Sequence, residues 1–138
     1  MKKIIATVVI VGIIALTSVL LINSGCKGSE CAASPSENLS LVQQVDQDLA
    51  SGALLVDVRT SEEYAKSHAK DAVLIPLTDI QKGIYPEVAK DQPVYLYCRS
   101  GNRAGQAKTI LEKTGFTNVI SIGGLTDWQS QGGEVVSN

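Results

Sequence analysis

The sequence predicts a doubly wound α/β domain, in which helices cover both faces of a mostly parallel sheet. Short apolar runs typical of buried strands alternate with segments of helical spacing from residue 38 onward. A chain of 138 residues with 44% hydrophobic and 19% charged residues has room for one such domain and a short extra segment. Consecutive parallel strands are joined by crossover connections, which usually contain a helix, so segments typical of strands and of helices alternate along the chain.

Four apolar runs predict the strands. The first, residues 53–58, is nearly continuous rather than alternating, as expected for a strand that is buried on both faces. The runs are residues 53–58 (ALLVDV), 73–75, 94–97 (VYLY) and 119–122. Pro76 closes the second run and Gly123-Gly124 breaks the fourth.

Five segments with helical spacing alternate with these runs: residues 40–51, 60–67, 78–85, 104–114 and 125–131. The first two open on capping boxes, formed by Ser40 with Gln43 and by Thr60 with Glu63. Thr78 is the expected cap of the third. The fourth has the clearest apolar face and ends before Gly115.

The charge balance and the scarcity of metal-binding side chains exclude several functions. Twelve Lys and Arg against fourteen Asp and Glu give a net charge of -2, which argues against nucleic-acid binding. One His and three scattered Cys do not form a convincing ligand set, so we predict neither a metal nor another cofactor. The sequence does not indicate an oligomeric state.

Residues 1–25 are predicted to be a signal peptide or an N-terminal membrane anchor. Lys2 and Lys3 precede nineteen uncharged residues, Ile4 to Ile22. Three outcomes are open: lipidation at Cys26 after Ser24-Gly25, an uncleaved anchor, or cleavage near residues 31–33. Each places the domain outside the cytoplasm, in the periplasm or on the extracytoplasmic face of the membrane.

Residues 26–37 are small and polar and are predicted to be a linker, leaving residues 38–138 as the folded domain. Cys31 falls in this linker, and the sequence assigns it no role.

The segment around Cys98 is the strongest candidate for a functional site. Cys98 ends a predicted strand, and a loop with Arg99, Gly101 and Arg103 leads into the fourth helix. Backbone amides, a helix N-terminus and two cations favour a thiolate and attract anions. The alternative is that Cys98 is a small buried apolar residue beside solvated arginines.

The chain resembles the rhodanese family, in particular its small exported single-domain thiosulfate sulfurtransferases, over about residues 38–138. The matching motifs are Leu55-Val56-Asp57-Val58-Arg59 with Glu62, Glu63 and Tyr64 downstream, Tyr97-Cys98-Arg99-Ser100-Gly101-Asn102-Arg103-Ala104, Gly115-Phe116, and Gly123-Gly124-Leu125 leading to Trp128. The sequence departs from the family at Ser67-His68-Ala69-Lys70-Asp71-Ala72, where the family has Gly-His-Ile-Pro-Gly-Ala.

The resemblance implies a sheet of about five strands, so a further short strand is expected near Leu39. It also implies that Cys98 attacks the outer sulfur of thiosulfate and carries it as a persulfide. A small thiol, cyanide or a protein thiol would then accept the sulfur. The expected substrate-binding residues are those of the loop: Arg99, Ser100, Gly101, Asn102 and Arg103.

Residues outside the loop have simpler interpretations. Asp57 and Arg59 are expected to form an ion pair at a strand-to-helix turn, with support of the site as the alternative. His68 is interpreted as a surface or turn-stabilising residue and Trp128 as a core residue. Tyr95 and Tyr97 are interpreted as packing residues.

Two other functions remain open. A carrier module would present a persulfide to a partner protein without turnover. A Cys-based phosphatase or arsenate reductase would also place a thiolate before a helix, but such enzymes have five residues between Cys and Arg. Here four residues separate Cys98 from Arg103, which favours a smaller ring of amides.

Overall fold

The fold is built around a four-stranded parallel sheet in the order β3-β1-β4-β5. The structure is a computed structural model that describes residues 39–137. In chain order its elements are α1 (Leu41–Ala50), β1 (Leu54–Asp57), α2 (Ser61–Lys66), β2 (His68–Ala69), β3 (Val73–Leu74), α3 (Leu77–Gln81), β4 (Val94–Cys98), α4 (Asn102–Lys113), β5 (Val119–Gly124), α5 (Leu125–Ser130) and β6 (Val135–Val136).

Helices cover both faces of this sheet, which confirms the doubly wound α/β prediction. Ile80 of α3 and Leu111 of α4 pack in one apolar cluster with side chains from β1 and β4. Val45 of α1 and Trp128 of α5 pack in a second cluster with other side chains of the same two strands. All five residues of β4 are buried, because both faces of this central strand are covered.

The expected fifth parallel strand near Leu39 is not formed by the described residues. Leu39 and Ser40 have no regular structure, and α1 begins at Leu41. The remaining strands are instead β2 and β6, an antiparallel pair of two residues each in a separate small sheet. Two residues are too few to show any periodicity, so the sequence pattern did not reveal them.

Both predicted capping boxes form, at Ser40 with Gln43 and at Thr60 with Glu63. The third helix differs from its prediction: it begins at Leu77, ends at Gln81, and has Pro76 rather than Thr78 at its N-cap position. The fixed φ of proline suits the start of a helix without a side-chain cap.

Two further element boundaries, the start of α4 and the end of β5, differ from the prediction, and a glycine lies at each. α4 begins two residues earlier than expected, directly after Gly101, whose φ of 85° lies in the left-handed region. β5 continues through Gly124 instead of breaking at Gly123.

The turn that departs from the family motif keeps a left-handed residue where the family has glycine. Asp71 adopts a φ of 61°, and among residues 39–137 no other non-glycine residue has a positive φ. Asp tolerates this region better than most residues because its short polar side chain can form hydrogen bonds with the nearby backbone.

The predictions for the N-terminal segment lie outside the described residues. They concern the signal peptide or anchor at residues 1–25, the linker, Cys26 and Cys31. Within residues 39–137, no helix combines the length and apolar character needed to cross a membrane.

Candidate functional site

Cys98 is the last residue of β4, and its side chain is a free thiol that is only 1% exposed. The backbone N–H of Gly101 donates a hydrogen bond to Cys98 Sγ at 3.1 Å. The left-handed Gly101 turns the chain directly into the twelve-residue helix α4. An amide and the positive end of a helix therefore lie beside the sulfur, an arrangement that favours negative charge there.

The end of β5 packs closely against the backbone of this loop. The β4–β5 register shifts between Leu96 and Cys98, so Cys98 is paired with Gly124. A Cβ atom on Gly124 would lie 2.3 Å from the Arg99 carbonyl oxygen, which leaves room only for glycine. The sequence analysis used Gly124 only as a strand break and a family motif, and it missed this steric role.

The two arginines of the loop differ in their surroundings. Arg103 is held in a bidentate ion pair by Glu63 of α2, with N–O distances of 2.6 and 2.8 Å. Arg99 is exposed and makes no ion pair within residues 39–137. Ser100 and Asn102 are exposed as well, so most of the loop's side chains face solvent around a buried sulfur.

Glu63 and Arg103 stabilise each other's charged forms. The hydrogen bonds from Arg103 lower the pKa of Glu63 to about 2. The same hydrogen bonds raise the pKa of Arg103, and the Cys98 thiol is near enough to the guanidinium to contribute to that rise. The sequence analysis assigned Glu63 only a capping role, because its partner lies forty residues away.

Asp57 and Arg59 form the ion pair that the sequence analysis preferred. Asp57 is fully buried and Arg59 is 6% exposed, with a shortest N–O distance of 2.6 Å. Burial alone would lower the pKa of Arg59, but its hydrogen bonds and charge interaction with Asp57 leave that pKa raised. Arg59 Nη2 also donates to the Ser67 carbonyl oxygen at 2.6 Å, so the pair ties the end of β1 to the end of α2.

The two tyrosines of β4 pack in the core, and both hydroxyl groups also form hydrogen bonds. Tyr95 donates to Asp48. The Tyr97 hydroxyl accepts the Ala69 N–H at 3.0 Å, and burial raises the Tyr97 pKa far above its ordinary value. Tyr97 is therefore neutral at physiological pH, and its hydroxyl ties β2 to β4.

His68 is buried, so its placement on the surface was wrong, whereas the turn-stabilising interpretation fits its contacts. Its ring stacks on Tyr64 at 3.8 Å between centroids, and Nδ1 lies 2.9 Å from the Tyr64 carbonyl oxygen. Trp128 is 2% exposed, and its Nε1 donates to the Glu134 carbonyl oxygen, as suits a core residue.

A separate cavity of about 650 Å³ lies between α1, the start of β1 and the turn after β2. None of the loop residues 98–103 lines it. The start of β1 is the opposite end of that strand from the sheet edge that carries Cys98, since β1 and β4 are parallel. The chemistry of the thiol therefore does not involve this cavity.

Comparisons with known proteins identify the family. The model of the rhodanese-like domain matches residues 41–131. The thiosulfate sulfurtransferase PspE of Escherichia coli is 41% identical over 73 residues, which cover 52% of this chain and 70% of that protein. The putative sulfur carrier protein YrkF of Bacillus subtilis is 38% identical over 87 residues, which cover 62% of this chain but only 45% of YrkF.

A solved structure of a rhodanese with anions from E. coli is also similar. It has a TM-score of 0.56 and 36% identity, and the alignment covers 62% of this chain and 99% of that one. The family match spans most of the described fold, including the Cys98 loop and Gly124. The chain therefore belongs to the rhodanese family.

Proposed function

We propose that this protein is a thiosulfate sulfurtransferase that moves the outer sulfur of thiosulfate to a thiophilic acceptor through a persulfide on Cys98. The observation that carries the proposal is the buried Cys98 sulfur beside the Gly101 amide and the N-terminus of α4. The relative PspE is named for this activity, and a relative from Allochromatium vinosum is named a sulfurtransferase.

The reaction is balanced in two steps. The Cys98 thiolate attacks the outer sulfur of thiosulfate, a new S–S bond forms, and the original S–S bond breaks with its electron pair leaving on sulfite. An acceptor such as cyanide or a thiolate then attacks the terminal sulfur and releases the Cys98 thiolate. Both the persulfide and the departing sulfite are anionic, so donors already in place stabilise the transition state.

The loop residues divide this work. The Gly101 amide contacts the sulfur, and Arg103 lies near it. The exposed Arg99 is the cation free to meet the sulfonate group of an incoming donor. The backbone from Arg99 to Arg103, with Ser100 and Asn102, forms the rest of the proposed substrate-binding loop.

A sulfur-loading experiment tests this proposal. Incubation of the protein with thiosulfate should add the mass of one sulfur atom per chain and release an equal amount of sulfite. Cys98→Ser should abolish both, since a hydroxyl is a far weaker nucleophile than a thiolate. Loading that persists in Cys98→Ser would remove Cys98 from the mechanism.

A carrier role is the second candidate, supported by the similarity to YrkF, which is named a putative sulfur carrier protein. Turnover distinguishes the two. Repeated release of sulfur to cyanide or small thiols identifies an enzyme, whereas loading without release, except to a partner protein, identifies a carrier.

The phosphatase or arsenate reductase alternative has less support from the geometry. Only four residues separate Cys98 from Arg103, one fewer than in those enzymes, so the ring of loop amides is smaller. Measurable hydrolysis of an aryl phosphate with little sulfur transfer would nevertheless reverse this choice.

We also propose that the domain is exported, either to the periplasm or to the extracytoplasmic face of the membrane, on the grounds of the basic, apolar and small-residue pattern of residues 1–25. Fractionation of cells that express the full chain tests this. Lipidation predicts that Cys26→Ala shifts the protein from the membrane fraction to the soluble one or blocks its maturation. An uncleaved anchor predicts no change in that variant.

A further inference from the structure

The ion pair between Glu63 and Arg103 links α2 to residues 98–103, called here the catalytic loop. Glu63 Oε2 accepts the Thr60 N–H at 3.1 Å, which completes the capping box, and it also accepts Arg103 Nη1 at 2.6 Å. Glu63 Oε1 accepts Arg103 Nη2 at 2.8 Å. A capping box is satisfied without any partner on another element, so the bond to Arg103 needs a separate explanation.

The carboxylate of Glu63 is held on a helix that is fixed at several points. At its first turn, Thr60 Oγ1 accepts the Glu63 N–H. At its last turn, the buried Arg59 donates to the Ser67 carbonyl oxygen. Between them, the Tyr64 hydroxyl donates to the Ala72 carbonyl oxygen at 2.7 Å. This six-residue helix therefore presents Glu63 from a fixed position.

The ion pair with Glu63 restricts the Arg103 side chain to one orientation. A free arginine side chain samples many rotamers, and a bidentate ion pair selects one of them. Arg103 and Glu63 are 29% and 30% exposed, so the pair is partly shielded from solvent. Arg103 lies in the first turn of α4, two residues after Gly101, whose N–H contacts Cys98 Sγ, and Cys98 helps to raise the pKa of Arg103.

We propose that Glu63 is a positioning residue for sulfur transfer: its carboxylate holds the Arg103 guanidinium beside Cys98, in place before negative charge develops on the persulfide and on sulfite. This inference rests on the proposed function, and it adds a residue on α2 to the machinery of the loop. A preplaced cation needs no rearrangement during the reaction, which is the source of its benefit.

The test uses Glu63→Gln in the full chain and two measurements. The first is the rate at which iodoacetamide alkylates Cys98 at a fixed neutral pH, which does not depend on sulfur transfer. The second is kcat and KM with thiosulfate. We expect slower alkylation and a loss of about tenfold to a hundredfold in kcat/KM, because a released Arg103 leaves the sulfur.

The direction of the alkylation change decides between two roles. If Glu63 acted only as a nearby negative charge, its removal would favour the thiolate and speed alkylation. Faster or unchanged alkylation therefore overturns the proposal. Failure of this proposal can be told apart from failure of the proposed function. The first would appear as unchanged or faster alkylation of Cys98 in Glu63→Gln, and the second as no sulfur loading in the unmodified protein.

A double-variant cycle tests whether Glu63 acts through Arg103. Arg103→Gln should slow alkylation and lower kcat/KM by itself, and adding Glu63→Gln should change neither further. Additive losses would contradict the proposal. If Glu63→Gln does not fold, Arg103→Lys tests the same contact, because lysine keeps the charge but cannot form the bidentate pair. An unchanged alkylation rate and unchanged kcat/KM in Arg103→Lys would overturn the proposal.

Two matched controls separate positioning from helix stability. Glu62→Gln removes an exposed carboxylate from the same helical turn, one that makes no ion pair within residues 39–137, and it should leave both measurements within about twofold of the unmodified protein. Thr60→Ala weakens the cap but keeps the Glu63 carboxylate. If Thr60→Ala reproduces the losses of Glu63→Gln, helix stability rather than positioning is the cause.

Discussion

Gly124→Ala tests how the end of β5 positions the catalytic loop. A new Cβ at residue 124 would lie 2.3 Å from the Arg99 carbonyl oxygen and 2.9 Å from its carbonyl carbon. Real Cβ atoms essentially never approach a neighbour within 3.0 Å. The two backbones must therefore separate by at least 0.7 Å, the difference between the first distance and that limit, because the Arg99 carbonyl group belongs to the backbone and cannot rotate away as a side chain could.

The displacement acts next to the nucleophile, since Arg99 directly follows Cys98. Overpacking of this kind costs about 1–3 kcal/mol of folding free energy, which most domains tolerate. A shift of about 1 Å in a reacting group costs about a hundredfold in rate. We therefore expect Gly124→Ala to fold, to lose modest stability, and to lose about a hundredfold in kcat/KM for sulfur transfer.

Gly105→Ala is the matched control for this experiment. Gly105 lies in α4, seven residues after Cys98, and a Cβ there meets no atom within 4 Å. Replacing a glycine inside a helix should raise stability by about 0.5–1 kcal/mol and leave activity unchanged. Urea unfolding gives the stabilities, and sulfite release from thiosulfate gives the rates. Full activity in Gly124→Ala would refute the claim that β5 fixes the loop.

Three further predictions concern the groups around the site. Asp57→Asn leaves Arg59 buried without its counter-charge and should cost about 3–5 kcal/mol in urea unfolding, whereas a loss below about 1 kcal/mol would contradict a structural ion pair. Asp71→Gly relieves a φ of 61° and should raise stability by up to about 1 kcal/mol, so lower stability would contradict the strain argument. The pKa of Glu63 falls from 4.5 in the unfolded chain to about 2 through its bonds to Arg103, so the pair stabilises the fold fully above about pH 4.5 and loses this effect as the pH falls towards 2. The unfolding free energies of the unmodified protein and Glu63→Gln should therefore differ by a constant amount above pH 5 and converge in acid, and a difference that persists to pH 2 would contradict this pKa.

The elements that the sequence predicted well depend on local rules. The capping boxes at Ser40 and Thr60 involve residues three positions apart, so their spacing alone indicates them. β1, β4, β5 and α4 are long enough for their apolar pattern to identify them, whereas the two-residue β3 was found from its apolar run before Pro76. The loop at Cys98 follows from the order of a strand, a thiol, a glycine and a helix.

The features that the sequence missed depend on contacts between distant segments. β2 and β6 are two residues each and pair across more than sixty positions, so neither carries a pattern of its own. The family resemblance led to the expectation of a strand near Leu39, but Leu39 and Ser40 form no strand, and α1 begins at Leu41. Pro76 and Gly101 set helix starts through backbone geometry, which apolar spacing does not show.

The site itself combines both kinds of information. The parallel sheet brings the carboxyl ends of β1 and β4 to one edge, and the helix that follows β1 therefore starts near the loop that follows β4. That topology allows a residue of α2 to reach Arg103, but only the structure identifies Glu63 rather than Glu62 as the one that does. A single helical position separates Glu62, an exposed carboxylate outside the capping box, from Glu63, which completes the box and pairs with Arg103. The Glu62→Gln control therefore discriminates between a nearby charge and the proposed positioning role.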